Sequence, residues 1–266
     1  MTITATSLAL TPHFPYAFSI CTLVTDKAQY QRFLTSFENA GFNNSDCEFL
    51  YIDNSENNQA DAYQGINRMI HAASGRYLIC CHQDILLDFD QRPTLEQQIT
   101  ILEQQDPNWA ILGNAGGTDN LGIPLKVRIT DPHADNRHSG SLPARVLSLD
   151  ENFLVLKKTA NLGLSHDLKG FHHYGTDFCL HADMLGFHCY VIDFHLRHLS
   201  AGTRSPHFYH SKKLFINRYQ QRLRSRWLRS PCTPLFLSNS SWRNSLCNCP
   251  LAYRWVKKWH KFKNFI

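Results

Sequence analysis

The residues best suited to chemistry follow an apolar segment in the first third of the chain. Residues 77–81 can form a strand covered on both faces of a sheet, and His82, Gln83 and Asp84 come directly after it. In open α/β sheets, ligands bind at the carboxyl ends of the strands. A carboxylate delivered to that edge can hold a hard divalent cation, which can in turn hold a diphosphate. A strand that ends in an ordinary polar turn explains the same residues without any ligand.

Two later segments also carry reactive side chains. In residues 170–182, Asp177 lies where a loop becomes a helix. It can serve as a general base, and a helix N-cap explains the residue equally without chemistry. In residues 190–202, a strand runs out into His195, His198 and Ser200, so His198 is either a ligand or simply a polar strand terminus.

The elements that must position these residues alternate along the chain. Hydrophobic periodicity predicts strands at 18–25, 48–53, 77–81, 110–113 and 189–194, and helices at 27–39, 61–73, 95–105 and 178–185. Strands that alternate with helices favour βαβ units and a parallel sheet. Residues 118–145, rich in Gly, Pro, Asp and His, are predicted to form a long loop.

Composition excludes several classes of protein. The chain has 266 residues, 43% of them hydrophobic, and 9 cysteines without a CxxC pair, which is typical of a reduced, cytoplasmic protein and not of a disulfide scaffold. The 15 histidines include no HxxxH helix, so no structural zinc site is predicted. The N-terminus does not resemble a signal peptide, and no apolar segment is long enough to span a bilayer. Any membrane contact is therefore expected to be peripheral, at the inner face.

The charge is divided unevenly along the chain. Residues 204–266 contain 14 Lys and Arg and no Asp or Glu, whereas residues 1–203 have a net charge of −9. If residues 251–266 are helical, Leu251, Trp255, Trp259, Phe262 and Ile266 form one stripe, with lysines and Arg254 outside it. Such a helix either lies on an anionic membrane or packs its aromatic stripe on the main domain. We expect a main domain at 1–203 and a basic, aromatic-rich extension at 204–266.

Taken in order, these segments resemble the family 2 glycosyltransferases of the GT-A fold. The resemblance covers roughly residues 16–203. It is carried by Asp53 at a strand end, by Asn67, Ala73 and Gly75, by His82-Gln83-Asp84 at the place of a DxD motif, by 150–154, by 175–180, and by Gly186 and His198. The resemblance implies an α/β fold of the GT-A (Rossmann-like) type, a mostly parallel sheet flanked by helices, here with a basic helical C-terminal extension. His82 departs from the motif, because it replaces the first aspartate.

The resemblance also implies roles for individual residues. Asp84 and His198 would hold a divalent metal, Mn²⁺ or Mg²⁺, and Asp177 would be the catalytic base. The implied donor-binding residues are Thr22, Val24, Asp53, Ser55, Asn67, His82, Gln83 and Asn114, and the implied acceptor-binding residues are Asp150, Glu151 and His173. His82 can contact the donor ribose or a phosphate, or ligate the metal itself. An Asx turn is an alternative explanation for Asp53.

The function implied is that of an inverting glycosyltransferase. It would move a sugar from a nucleoside-diphosphate sugar, with a UDP-sugar favoured, to a hydroxyl of a glycan, lipid-linked or other acceptor in surface polysaccharide biosynthesis. An alternative is a catalytically inactive nucleotide-sugar-binding protein, which the His82 departure favours. A second alternative is a nucleic-acid-binding protein that uses the basic tail. No nucleic-acid motif is present, so no nucleic-acid partner is expected.

Overall fold

A computed structural model describes residues 3–202, 205–229, 231 and 233–263. The chain divides into two compact units, Met1–Ser211 and Lys212–Ile266, each described by itself below. The domain boundary predicted from the sequence falls between residues 203 and 204, both of which lie outside the described residues. It therefore stays a prediction.

Helices form in both units. Within the described residues they are α1 (Lys27–Asn39), α2 (Ala62–Ala72), α3 (Arg92–Gln105), α4 (Tyr174–Met184), α5 (Pro206–Arg222), α6 (Ser241–Cys247) and α7 (Pro250–Lys263). The helix predictions over 27–39 and 61–73 are confirmed to within a residue. The helices predicted at 95–105 and 178–185 begin three and four residues earlier, at Arg92 and Tyr174.

The strands are short and numerous. In the described residues they are β1 (Tyr16–Val24), β2 (Cys47–Asp53), β3 (Gly75–Cys81), β4 (Ile85–Leu86), β5 (Trp109–Gly113), β6 (Ala115–Gly117), β7 (Lys126–Asp131), β8 (Ala134–Ser139), β9 (Ala144–Val146), β10 (Ser148–Leu149), β11 (Phe153–Lys157), β12 (His188–Val191), β13 (Leu196–His198), β14 (Arg226–Arg229) and β15 (Pro234–Leu237). They confirm the alternation of strands and helices expected for the first half of the chain.

The main sheet has the strand order β2-β1-β3-β11-β5-β12-β9 among the described residues. β1 is parallel to β2 and β3, and β12 is parallel to β5. β11 runs antiparallel to both of its neighbours, and β9 is antiparallel to β12. The sheet is thus mixed, and in its parallel part β2-β1-β3 the carboxyl ends of three strands meet at one edge.

The prediction of a long loop at residues 118–145 is wrong, because that segment contains β7, β8 and the start of β9. β7 pairs with β8 and with β13 in a second sheet of order β10-β6-β7-β13-β4. The buried residues of β7 include Val127 and Ile129, whereas β8 is largely exposed. β7 has a short polar–apolar alternation around Val127 and Ile129, but β8 has no apolar alternation, so the hairpin as a whole gives a weak strand signal.

The core of the first unit is rich in aromatic residues. Phe33 and Phe37 of α1 stack with ring centroids 4.2 Å apart, and Phe18 of β1 meets Phe42 edge-on at 5.3 Å. All four side chains are almost completely buried. Burying a phenylalanine contributes about 1.5–3 kcal/mol relative to leaving it exposed. This cluster therefore fixes α1 on the sheet and, with it, the edge at which β1 ends.

Close packing sets where β3 begins. A Cβ added to Gly75 would lie 2.6 Å from the backbone nitrogen of Ser19 on β1, so no other residue fits there without a shift. The Gly75 N–H donates to the Ser19 hydroxyl at 2.8 Å. This contact fixes the register of β3 against β1, and the register decides where the residues after Cys81 emerge.

The second unit combines a hairpin with helices. β14 and β15 are antiparallel, with Trp227 opposite Phe236. Asn248 at the end of α6 accepts from the Phe236 N–H at 2.8 Å and donates to the Phe236 carbonyl at 2.9 Å, so the hairpin and α6 are held together. In the part of the chain that the structure describes, no helix is both long and apolar enough to cross a bilayer.

Candidate functional site

The end of β3 and the pairing of β4 with β13 bring the candidate metal ligands together. β3 ends at Cys81, so His82 and Asp84 follow at the carboxyl edge of the main sheet. β4 follows at once and pairs antiparallel with β13, with His198 opposite Ile85. The Leu199 N–H also donates to the Asp84 carbonyl at 3.0 Å. This pairing places His198 beside Asp84 although the two are far apart in the sequence.

The ligand atoms of His82, Asp84 and His198 lie within 4.8 Å of one another. His198 Nε2 is 3.3 Å from Asp84 Oδ1, and His82 Nδ1 is 3.9 Å from the same oxygen. Two imidazoles and a carboxylate are a donor set that first-row divalent metals accept. The residues present therefore fit the metal that the GT-A resemblance implies, with His82 as a third member of the cluster.

The electrostatics of the cluster lower the pKa of Asp84 and the pKa of His82. Burial raises the pKa of Asp84, but hydrogen bonding from His198 and the charges of both histidines outweigh it and lower the pKa to about 2. Burial, followed by the proximity of His198, lowers the pKa of His82. The His82 side chain is partly exposed, with 39% of its surface accessible. An anionic oxygen and a neutral imidazole are the states that bind a cation.

A series of hydrogen bonds holds the His82 ring on the side that faces away from Asp84. His82 Nε2 is 3.0 Å from the hydroxyl of Tyr174, and that hydroxyl donates to the main-chain carbonyl of Glu151 at 3.1 Å. The His82 N–H donates to the Asn152 carbonyl at 3.0 Å. The antiparallel register of Phe153 with Cys81 brings the 150–152 turn to this place. Sequence reasoning missed Tyr174, because an aromatic residue near a helix start is usually a core residue.

Glu151 is linked to the cluster through its main chain, because its carbonyl accepts from the Tyr174 hydroxyl that contacts His82. Its side chain is half-buried and accepts from the backbone N–H groups of Gly175 and His173. Burial and then the charge of Asp150 raise the pKa of Glu151 to about 8, despite those two donors. A carboxyl with a raised pKa is a candidate for proton transfer.

The residues of the predicted nucleotide pocket lie at the same sheet edge. Asp53 ends β2 opposite Val24 in the parallel register, with Thr22 buried on β1. Asp53 accepts from the Ser55 hydroxyl at 2.6 Å and from the Ser55 N–H at 2.9 Å, and it pairs with Lys27 at 3.0 Å. These contacts, with the Ser55 hydroxyl first, lower the pKa of Asp53 to about 2. Asp53 thus forms the Asx turn that was the alternative explanation.

Other predicted donor-binding residues hold the protein's own backbone. Gln83 accepts from the N–H groups of Thr25 and Asp26 at 2.8 and 3.1 Å, so it fastens the end of β1 to the end of β3. Asn67 exchanges two hydrogen bonds with the main chain of Leu164, at 2.7 and 3.0 Å. Asn114 is fully buried, and its amide donates to the Arg128 carbonyl at 3.3 Å. Their donor-binding roles stay predictions.

The predicted acceptor residues lie in two neighbouring turns. Asp150 Oδ1 accepts from the Asn152 N–H at 3.0 Å and from its amide at 2.6 Å, which closes the turn that holds Glu151. His173 precedes α4 with φ of +68°, and its ring lies 5.0 Å from that of Phe208. The link to His82 runs through their neighbours, because Asn152 accepts from the His82 main-chain N–H and Tyr174 contacts the His82 ring. Contact of Asp150, Glu151 and His173 with an acceptor remains a prediction.

The structure places Asp177 in the interior. Its side chain has no exposed surface. Oδ2 accepts from the Ser165 N–H and Oδ1 from the Ser165 hydroxyl, both at 2.7 Å. A base must reach the hydroxyl of a bound acceptor, and a carboxylate enclosed in this way does not. Its geometry is that of a residue that holds the 163–165 loop on α4, so the base role stays a prediction without geometric support.

Replacing Asp177 with asparagine tests the two roles. We expect lower stability by about 1–3 kcal/mol, because the new amide NH₂ must face one of the two Ser165 donors. Turnover per folded molecule should stay close to that of the wild type. Chemical denaturation and initial rates at a temperature well below the melting temperature measure both quantities. If Asp177 is instead the base, turnover per folded molecule falls by about 10²–10⁴-fold.

Comparison with solved structures gives the class of fold. A mannosyltransferase of Pyrobaculum calidifontis, in complex with GDP-Man and Mn²⁺, superposes with a TM-score of 0.52 over 86% of this chain and 70% of its own, at 11% identity. GalNAc-T7 with UDP, GalNAc and Mn²⁺ gives a TM-score of 0.49 at 10% identity, over 70% of this chain; the chain spans 44% of that protein. The fold is that of the GT-A glycosyltransferases, as the sequence predicted.

Sequence comparison identifies the family more narrowly. The chain belongs to the same protein family as the protein "ATP synthase subunits region ORF 6" of Fuscovulum blasticum, to which it is 37% identical over 208 residues, 77% of this chain and 84% of that protein. The name of that relative states no activity. No protein-family model matches the sequence.

Proposed function

We propose that this protein is a glycosyltransferase related to family 2, which transfers a sugar from a nucleoside-diphosphate sugar to a hydroxyl group. The observation that carries the proposal is the convergence of His82, Asp84 and His198 at the carboxyl edge of a GT-A fold. The similar mannosyltransferase was solved with GDP-Man and Mn²⁺. A donor with a diphosphate and a divalent cation suits this edge of the sheet. Among donors, a UDP-sugar is the first to test.

The proposed reaction is a single displacement with inversion at the anomeric carbon. The acceptor oxygen attacks that carbon, the bond to the diphosphate breaks, and the acceptor proton passes to a protein base. Asp84 and His198 would hold the metal ion, which when bound neutralises charge on the departing diphosphate. Glu151 is the better candidate for the base, because it is half-buried and its pKa is raised to about 8, whereas Asp177 is fully enclosed.

A second candidate function is nucleotide-sugar binding without transfer. The burial of Asp177, with both oxygens bound by Ser165, favours it, because the residue that corresponds to the family's base is engaged elsewhere. Both functions require donor binding, and only the first requires turnover. The acceptor of the first is proposed to be a glycan or a lipid-linked glycan.

Thermal stability tests the proposed donor. A nucleotide that occupies the site stabilises the folded protein according to its concentration relative to Kd, by about 2.7 kcal/mol at a hundredfold excess. We expect a panel of UDP-, GDP- and ADP-sugars to contain one that raises Tm more with Mn²⁺ than without. Release of the nucleoside diphosphate with that donor separates an enzyme from a binder. The absence of any Mn²⁺-dependent shift across the panel contradicts the proposal.

The C-terminal unit supports a proposal of membrane contact. On α7, Leu251, Trp255 and Trp259 are 63–76% exposed, and Arg254 and Lys258 are exposed as well. Residues 204–266 contain no acid. Exposed aromatics flanked by cations suit the interface of an anionic bilayer, where each cation adds about 1 kcal/mol. Ile266 and the side chains of Phe262, Lys257 and Lys261, which completed the sequence prediction, lie outside the described residues.

Vesicle binding tests this contact. We expect the protein to co-sediment with phosphatidylglycerol vesicles and not with phosphatidylcholine vesicles. The double variant Trp255→Ala/Trp259→Ala should bind about tenfold or more weakly, because it loses the two rings that would be buried in the bilayer interface. Tyr51→Ala, which removes an exposed aromatic of β2, is the matched control. Salt-sensitive binding to oligonucleotides without binding to anionic vesicles would contradict the proposal and favour a nucleic-acid partner.

A further inference from the structure

The two ring nitrogens of His82 have different partners. Nε2 is 3.0 Å from the Tyr174 hydroxyl, and Nδ1 faces Asp84 at 3.9 Å. A tyrosine hydroxyl has one proton to donate. That proton is directed to the Glu151 carbonyl, 3.1 Å away, so the hydroxyl oxygen accepts a hydrogen bond from His82 Nε2–H. The hydrogen-bond network thus assigns the proton of the neutral ring to Nε2.

This tautomer leaves the lone pair of Nδ1 directed at the cluster. The partner that one ring nitrogen binds decides which nitrogen can ligate. Tyr174 is 5% exposed and therefore holds its position without competition from solvent. The main-chain bond from His82 to Asn152 fixes the other end of the residue. The ring is consequently prepared as a donor before any cation arrives.

The distances suit one cation between the three side chains. Imidazole nitrogens and carboxylate oxygens bind first-row divalent metals at about 2.0–2.2 Å, so neighbouring ligand atoms around one ion are about 3–3.5 Å apart. The separation of His198 Nε2 from Asp84 Oδ1 is 3.3 Å, and that of His82 Nδ1 from the same oxygen is 3.9 Å. The His198–Asp84 pair already has this spacing, whereas His82 Nδ1 has to come closer to Asp84 Oδ1.

We propose that His82 is a metal ligand through Nδ1, that the site is a two-histidine, one-carboxylate centre selective for transition metals over Mg²⁺, and that Tyr174 is the positioning residue that fixes the His82 tautomer. The assignment replaces the donor-binding role predicted for His82. The role of the metal in sugar transfer rests on the proposed function. Metal binding itself rests only on the geometry of the three side chains.

Ligand chemistry sets the order of affinity. Mg²⁺ favours oxygen ligands and near-ideal octahedral geometry, and this centre supplies one carboxylate among its three ligands. Imidazole favours later first-row metals, with affinity rising from Mn²⁺ to Co²⁺. The expected order is Co²⁺ and Zn²⁺ above Mn²⁺, with Mg²⁺ weakest. A site with aspartate in place of His82 would shift this order towards Mg²⁺.

Metal titration of the full-length protein without donor tests the proposal. Co²⁺ should give a visible absorption band with one ion per chain, and Mn²⁺ and Mg²⁺ should compete for it in the order stated. His82→Ala and Tyr174→Phe should each weaken Mn²⁺ binding by about 10–100-fold. Tyr190→Phe is the control, because it also removes a tyrosine hydroxyl hydrogen bond, here to Asp106 and outside the cluster.

A variant that should gain affinity for Mg²⁺ relative to Mn²⁺ keeps the test valid if His82→Ala and Tyr174→Phe fold poorly. The oxygen of an aspartate and Nδ1 of a histidine lie at the same number of bonds from Cα, so His82→Asp retains a ligand atom in place. Its ratio of Mg²⁺ to Mn²⁺ affinity should rise by about tenfold or more.

Several results would overturn the inference. These are wild-type Mn²⁺ affinity in His82→Ala and Tyr174→Phe, equal binding of Mg²⁺ and Mn²⁺ by the wild type, or an unchanged preference in His82→Asp. Selective metal binding without any donor-induced shift in Tm would leave this inference standing and contradict only the proposed function.

Discussion

Asp84→Asn is expected to remove sugar transfer almost entirely, with kcat/KM lower by about 10³-fold. Asp84 is the only carboxylate of the described metal cluster, and its oxygen lies between His82 and His198. Asparagine keeps the shape but lacks the charge, so the cation that offsets charge on the leaving diphosphate is lost. A cation in this role supplies several kcal/mol to the transition state, and each 1.36 kcal/mol corresponds to tenfold in rate.

The measurement combines steady-state rates with metal titration. Asp84→Asn should lose the tight Mn²⁺ site together with activity. Asp183→Asn, which neutralises an exposed carboxylate near the end of α4, is the matched control and should leave both unchanged. A rate within tenfold of the wild type in Asp84→Asn would mean that the cluster has no part in transfer.

Glu151→Gln is expected to lower kcat by about 10²–10⁴-fold while donor binding is retained. The expected loss is that of general base catalysis. Because burial, followed by the charge of Asp150, raises the pKa of Glu151 to about 8, the wild-type rate should increase as pH rises through about 8, where the carboxylate forms. Glutamine resembles the protonated acid and can still accept from one of the backbone N–H groups of His173 and Gly175.

Glu151→Gln, which is expected to lower kcat, should raise the stability of the folded protein at pH 8. The pKa of Glu151 is higher in the folded chain than its ordinary value of 4.5, so between about 4.5 and 8 the folded state binds more protons than the unfolded state. Stability from this group is therefore present below pH 4.5 and is lost as pH rises towards 8. Glu151→Gln should remove that decline and be more stable than the wild type at pH 8.

The two readouts together separate a functional from a structural residue. A structural Glu151 predicts that glutamine lowers stability and leaves kcat per folded molecule unchanged. Equal kcat in Glu151→Gln and the wild type across pH 6–9 would exclude the base role. In that case the retained donor binding would favour the alternative of a nucleotide-sugar-binding protein.

Local patterns in the sequence were enough for the first half of the fold. α1 and α2 carry clear helical periodicity, begin at the side-chain caps Asp26 and Asp61, and were predicted to within a residue. β3 is a continuous apolar segment, which a strand buried on both faces requires. The hairpin of β7 and β8 was missed, because β8 lacks an apolar strand pattern of its own and forms a strand through its hydrogen bonds to β7, which also pairs with β6 and β13.

The candidate site shows the same division. Asp84 was predicted from its place after β3, which is a local property. The role of His82 depended on Tyr174, 92 residues away, because a ring alone does not reveal which nitrogen holds the proton. Asp177 has the residue type of a base, yet its burial depends on contact with Ser165, which no spacing rule reveals.

By itself, the sequence determined the alternation of strands and helices in the first half of the chain, the carboxylate at the end of β3, and the basic C-terminal region. These properties follow from periodicity, composition and charge, which act between residues close in the chain. Only the tertiary structure decided that His198 lies beside Asp84, that Asp177 is enclosed, and that Tyr174 sets the His82 ring. Those outcomes arise from strand register and packing between distant segments, where a shift of one residue reverses which side chains meet.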